Sequence, residues 1–160
     1  MLNMKRVLAL DPGNSTGWVF RDEEGVLCAG GTVYENFTKI YNLIASYGVD
    51  AVVYETFNLY AGAAKHMVNN DFYPCQVIGV IKLAAMREEV KYLVPLSPGL
   101  KKYSGGLDTR WSNFRAGLFS DEAEGITEHT KDAYLLLRYY ERFVEESASR
   151  LAKSHTPKVM

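Results

Sequence analysis

The feature that most constrains this chain is the run Val7-Leu-Ala-Leu-Asp11-Pro-Gly13-Asn-Ser-Thr16-Gly17-Trp-Val-Phe20. Four apolar residues end in a carboxylate, a glycine-containing turn follows, and a second apolar run begins. A short apolar run bounded by turn residues reads as a strand buried on both faces. Such a strand lies inside a sheet and delivers Asp11 to an open loop, where a cation or a phosphate can be held. Asp11 before Pro12 and Gly13 is equally a plain turn residue, so the rest of the chain has to decide.

The pattern after this strand sets the fold class. Thr16 to Arg21 and Val26 to Tyr34 read as two more strands, joined by the turn Asp22-Glu-Glu-Gly25. Short connections make these three strands an antiparallel meander. Ile40, Leu43, Ile44 and Tyr47 recur at helical spacing, and Gly48 is a stop. Asp50 to Glu55 is a fourth strand and Lys91 to Leu96 a fifth. Between them lie a loop rich in Asn, Gly and Ala and a long helix from Pro74 to Glu89. Ser97 to Gly106 reads as a basic, turn-rich loop, Thr109 to Leu118 as a short helix with Trp111 and Phe114 in its core. The last helix starts near Thr127 and carries Ala133, Leu136, Leu137, Tyr140 and Val144 on one face. The expected fold is α/β: a mixed five-stranded sheet, an antiparallel meander plus two parallel strands, with helices on both faces. Neither G-x-G-x-x-G nor G-x-x-x-x-G-K-[ST] occurs, which argues against a nucleotide cofactor.

At 160 residues, one domain spanning 1–160 is expected, with a frayed tail from about 147. No apolar run reaches the ~20 residues of a membrane span, and the N-terminus lacks the apolar stretch of a signal peptide. Cys28 and Cys75 are too isolated for a disulfide framework or a zinc site and read as small buried hydrophobes. A reducing, cytoplasmic setting fits. The net charge of -1 says little about partners, but its distribution says more. Residues 76–115 hold seven basic and three acidic groups: Lys82, Arg87, Lys91, Lys101, Lys102, Arg110 and Arg115 against Glu88, Glu89 and Asp108. Such an island is either a phosphate-binding surface or a solvated face.

Three acidic positions stand at strand ends or helix starts: Asp11, Glu55 and Asp132. His129 lies three residues before Asp132 and shares its helix face. Leu136 shares that face too, which turns it toward the sheet. Taken singly, Glu55 is also a rim residue and Asp132 also a complement to a helix dipole. Together, carboxylates converging at a core edge repel each other unless a cation sits among them.

The motifs Leu8-Ala-Leu-Asp11-Pro-Gly13-Asn-Ser-Thr16-Gly17, Val52-Val-Tyr-Glu55 and His129-Thr-Lys-Asp132-Ala133 resemble those of the RuvC family of Holliday junction resolvases, within the RNase H-like superfamily. The resemblance runs from about residue 5 to 145. It also takes in Gln76-Val-Ile-Gly79-Val and Pro95-Leu-Ser-Pro-Gly-Leu-Lys101-Lys102. It implies strands one and four side by side at the sheet centre. It further implies a two-ion site with Mg2+ or Mn2+: Asp11 bridging, Glu55 on one ion, Asp132 with His129 on the other. Glu128 is a rival ligand on nearly the same face. Imidazole at His129 suits Mn2+ better than Mg2+.

The implied activity is an endonuclease that resolves four-way DNA junctions by paired nicks, leaving 5′-phosphate and 3′-hydroxyl ends. Lys82, Arg87, Lys101, Lys102, Arg110 and Arg115 are candidate phosphate contacts. Phe57 or Tyr60 would wedge into the junction by stacking on a base; Phe57 is also a candidate core residue. Gly13 and Gly17 would turn the chain and let the scissile backbone approach. A junction with near two-fold symmetry calls for a homodimer, with Val77, Ile81 and Ala84 of the long helix as the interface and Gly79 allowing close approach; ordinary packing on the sheet is the other reading. Rival functions are cleavage of flaps, forks or structured RNA, an actin-like ATPase fragment, and an inactive nucleic-acid-binding module. The compact chain would suit a phage-encoded relative.

Overall fold

A computed structural model describes residues 5–57, 72–117 and 125–145. Five strands, β1 (Val7–Asp11), β2 (Ser15–Arg21), β3 (Leu27–Tyr34), β4 (Ala51–Glu55) and β5 (Tyr92–Leu96), form one sheet in the order β3-β2-β1-β4-β5. β2 pairs antiparallel with β1 and β3, whereas β4 pairs parallel with β1 and β5. The expected mixed sheet is therefore present, with β1 and β4 side by side at its centre. The hairpin turn is set by Asp22, whose Oδ1 accepts the amides of Glu24 and Val26 at 2.9 Å each.

Pleating divides β1 and β4 between two cores. Val7, Ala9, Ala51 and Val53 face one side. They pack against α3 (Thr109–Gly117) and α4 (Glu128–Tyr139) through Trp111, Phe114, Ala133, Leu136 and Leu137. Leu8, Leu10, Val52 and Tyr54 face the other side, against Ile40, Leu43 and Ile44 of α1 (Phe37–Ser46) and Val77, Ile81 and Ala84 of α2 (Tyr73–Arg87). Continuous apolar strands are what burial on both faces requires.

The helices start where the sequence supplies caps. Asn36 Oδ1 accepts the Lys39 amide at 3.0 Å to open α1, and Pro74 stands in the first turn of α2. After α4 the backbone widens into a π-helix, Tyr140–Glu145. None of the helices among the described residues is long and apolar enough to cross a membrane.

Three expectations are corrected. Val77, Ile81 and Ala84 do not form an interface, because they are 1%, 0% and 0% exposed against the sheet. The outward face of α2 carries Gly79, Leu83 and Met86 instead. Cys28 and Cys75 are exposed, not buried; Cys28 alternates outward next to buried Leu27, its Sγ 3.3 Å from Asp22 Oδ2. The basic loop after β5 contains a 3-10 helix, Leu100–Tyr103, entered through Gly99 at φ 91°, a left-handed conformation that favours glycine.

Candidate functional site

Parallel pairing in register brings the first two carboxylates together. Leu10 pairs with Tyr54, so Asp11 and Glu55 follow as neighbours at the C-terminal edge of the sheet. By the two-residue alternation both side chains lie on the α4 side, with Val7, Ala9, Ala51 and Val53. Asp132 joins them from α4, one turn before fully buried Leu136.

α4 is held at this edge by features that local sequence patterns do not reveal. Thr127 caps it, accepting the His129 amide at 3.1 Å, while its own amide donates to Thr130 Oγ1 at 3.0 Å. Thr130 Oγ1 also donates to the Gly31 carbonyl at 2.9 Å, and the Thr32 hydroxyl lies 2.7 Å from that of Thr127. These threonines stitch the start of α4 to β3. Gly17 then lets β2 and α4 touch: a Cβ there would stand 1.8 Å from the His129 carbonyl oxygen. Gly17 therefore makes room for a helix, not for the approach of a nucleic-acid backbone. The signals were a Thr-x-x-Thr cap and a glycine inside a strand, and neither says what it will meet.

The centre of the carboxylate group is occupied by Lys101, carried there by the 3-10 helix. Its Nζ lies 2.9 Å from Glu55 Oε2, 3.8 Å from Asp132 Oδ2 and 3.9 Å from Asp11 Oδ2. Glu55 Oε2 is buried, and the Lys101 ammonium is the group that faces it. Burial pushes the Asp11 carboxyl up to about 7; the charges of Glu55 and Asp132 add to this and Lys101 opposes it. Burial works against charge on Lys101 as well, but its carboxylate partners outweigh it and raise its pKa.

This donor set suits a divalent ion. Carboxylate oxygens are the ligands of Mg2+ and Mn2+, and three carboxylates around one ammonium leave two negative charges uncompensated when all are ionised. Among the described residues, no three His, Cys, Asp or Glu side chains are already drawn together as a metal cage. The carboxylates are spaced around an ammonium, wider than the ~2.1 Å of a magnesium–oxygen bond.

The remaining candidates stand apart from the Lys101 cluster, except that His129 lies one turn before Asp132 on α4. His129 is exposed in the first turn of α4. Glu128 is exposed and paired with Lys131. Lys102 and Arg115 are exposed, the former with its Nζ 5.1 Å from the Tyr103 ring centroid. Phe57, two residues past Glu55, is half-buried with its ring 6.3 Å from that of Phe72. Tyr60 lies outside the described residues. Lys82 and Arg87 are exposed on α2, which packs on the sheet face opposite α4. Because α2 returns between parallel strands, Arg87 in its last turn lies at the far end of the sheet from Glu55. Arg110 departs from the expected phosphate contact: it is committed to Glu141, to the Gly25 carbonyl at 3.2 Å and to Tyr134 Oη at 3.1 Å.

Sheet order, the crossover helix and the packing of α4 define an RNase H-like fold. The solved structures that share it include Thermus thermophilus RuvC in complex with a Holliday junction substrate (TM-score 0.59, 15% identity, 87% of this chain and 96% of that one). Thermus thermophilus RuvC alone gives 0.58 at 15%, covering 89% and 96%. The yeast mitochondrial Holliday junction resolvase Ydc2 gives 0.50 at 13%, covering 95% and 86%. At these identities the likeness is one of fold. No protein-family model matches the chain, and no curated protein matches it.

Proposed function

We propose that this chain is a metal-dependent endonuclease that resolves four-way DNA junctions. The observation that carries the reading is the convergence of Asp11, Glu55 and Asp132 within 4 Å of one cation, Lys101 Nζ, on a fold shared with junction resolvases. Asp11, Glu55, Asp132 and His129 would hold two Mg2+ or Mn2+ ions. Bound there, the ions supply Lewis-acid stabilisation of charge on a phosphodiester and lower the pKa of an attacking water. Asp11, at the end of β1 and near the Lys101 ammonium that Glu55 and Asp132 also meet, would be the carboxylate available to both ions. Lys102 and Arg115 contact backbone phosphates and set register without reading sequence. Phe57, next to the site and half-buried, stacks on a base at the branch point. In-line attack leaves a 5′-phosphate and a 3′-hydroxyl, and a symmetric dimer places two such sites on opposed strands.

The test is cleavage of synthetic four-way junction, flap, linear duplex and RNA-containing substrates with Mg2+ and with Mn2+. Paired symmetric nicks in the junction, abolished by Asp11→Asn with junction binding retained, are expected. Equal cutting of all DNAs, or a preference for flaps or RNA, would replace the junction with another substrate. A monomer at working concentration, with and without junction, would remove the dimer.

A further inference from the structure

We propose that Lys101 is a built-in counter-cation of this site: its ammonium holds the carboxylates together in the metal-free protein and must leave when metal enters. The inference rests on the metal-dependent reading above and assigns that site its occupant in the absence of metal.

Three observations carry it. One ammonium meets carboxylates from β1, β4 and α4, three elements that reach the same point from different directions. The position is not compatible with a metal ligated by the same oxygens. Nζ lies 2.9 Å from Glu55 Oε2, and an ion at a coordination distance of ~2.1 Å from that oxygen would crowd the ammonium sterically and repel it. Finally, the backbone under Lys101 is anchored without help from the carboxylates. Leu100 packs into the core beside α4, Gly99 sets the left-handed entry, and the Ser104 amide closes the 3-10 turn on the Lys101 carbonyl at 3.1 Å. Only the flexible four-carbon stem has to move for the charge to be withdrawn. Lys102, on the same turn, is exposed, with its ammonium over the Tyr103 ring and away from the carboxylates' shared cation.

Two consequences separate this role from that of a simple phosphate contact. Lys101 competes with the metal, so its loss tightens metal binding; and it stabilises only the metal-free protein, so its loss costs stability there and not in the loaded state. The experiment compares wild type, Lys101→Met and Lys102→Met. Mn2+ affinity is read by calorimetry or by the electron paramagnetic resonance signal of free Mn2+, and Tm with chelator and with saturating Mn2+. Lys101→Met is expected to bind Mn2+ about tenfold more tightly or better. Its Tm should fall in chelator and meet that of wild type in Mn2+. Lys102→Met should match wild type in both readings. Unchanged or weaker Mn2+ affinity in Lys101→Met, with wild type binding normally, overturns the counter-cation. Absence of Mn2+ binding in wild type and Lys101→Met alike overturns the metal-dependent reading itself, and the counter-cation with it.

Discussion

Two charge clusters sit at opposite ends of the same sheet and the same helix, and they are built on opposite principles. At the far end, Arg21 is fully buried where β2 closes on the start of β1. It donates to Glu141 Oε2 and Glu145 Oε2 at 2.9 Å each and to the Lys5 carbonyl at 2.6 Å. Arg110 shares Glu141. Two guanidiniums thus face two carboxylates, and directed hydrogen bonds satisfy nearly every donor of Arg21, Nε being the exception. At the near end, three carboxylates share one ammonium, which is close to Glu55 alone, and the Asp11 carboxyl is pushed up to about 7. A protein that needs buried charge for architecture balances it internally. The imbalance at the near end is what the proposed metal ions would relieve.

The sharpest way to break this contrast is Asp11→Asn. Junction cleavage should fall by roughly a thousandfold or more, the loss of several kcal/mol of transition-state stabilisation, while thermal melts show a metal-free fold at least as stable as wild type. Arg21→Met should do the converse. Glu145 is then left without its guanidinium while Glu141 keeps Arg110, a cost of about 3 kcal/mol, read as a lower denaturant midpoint, with cleavage by the folded fraction retained.

Gly17→Ala tests the seating of α4 at the near end, where Gly17 pairs with Asp11. The added methyl meets the His129 carbonyl, and overpacking of this kind costs about 1–3 kcal/mol. Because α4 carries Asp132, metal affinity should weaken together with stability; stability loss alone would detach Gly17 from the site.

The smallest effect is on pH dependence. The folded, metal-free chain raises Asp11 from 3.8 to about 7, so between these values it holds a proton that the unfolded chain has released. Stability from this group is complete below pH about 4 and is lost as pH rises through about 7. Calorimetry in chelator should show that slope in wild type and a flatter one in Asp11→Asn. Equal slopes would place its source elsewhere.

What was legible in the sequence was local. The apolar runs ending in Asp11 and Glu55 and the helical spacing of Ala133, Leu136 and Leu137 gave the strands, the last helix and the carboxylates, because each pattern fits within one element. What was not legible depends on where distant segments meet. Val77, Ile81 and Ala84 form an apolar stripe that reads alike whether a sheet or a partner covers it. Arg110 reads as a free cation until Glu141, 31 residues on, is placed beside it. Lys101 sat in the basic island as one of seven, and only the pairing of β5 with β4 turns it toward Glu55.

The in-register pairing of β1 with β4 gives the molecule a rule of parity. Insertions or deletions in the hairpin at 22–26, or between α1 and β4, leave Asp11 and Glu55 adjacent, because their positions are counted along the paired strands. One residue added within Val7–Asp11 would instead turn the carboxylate to the face of α1 and α2. Length variation among descendants of this chain should therefore gather in the connections and avoid five-residue strands whose even spacing does the aiming.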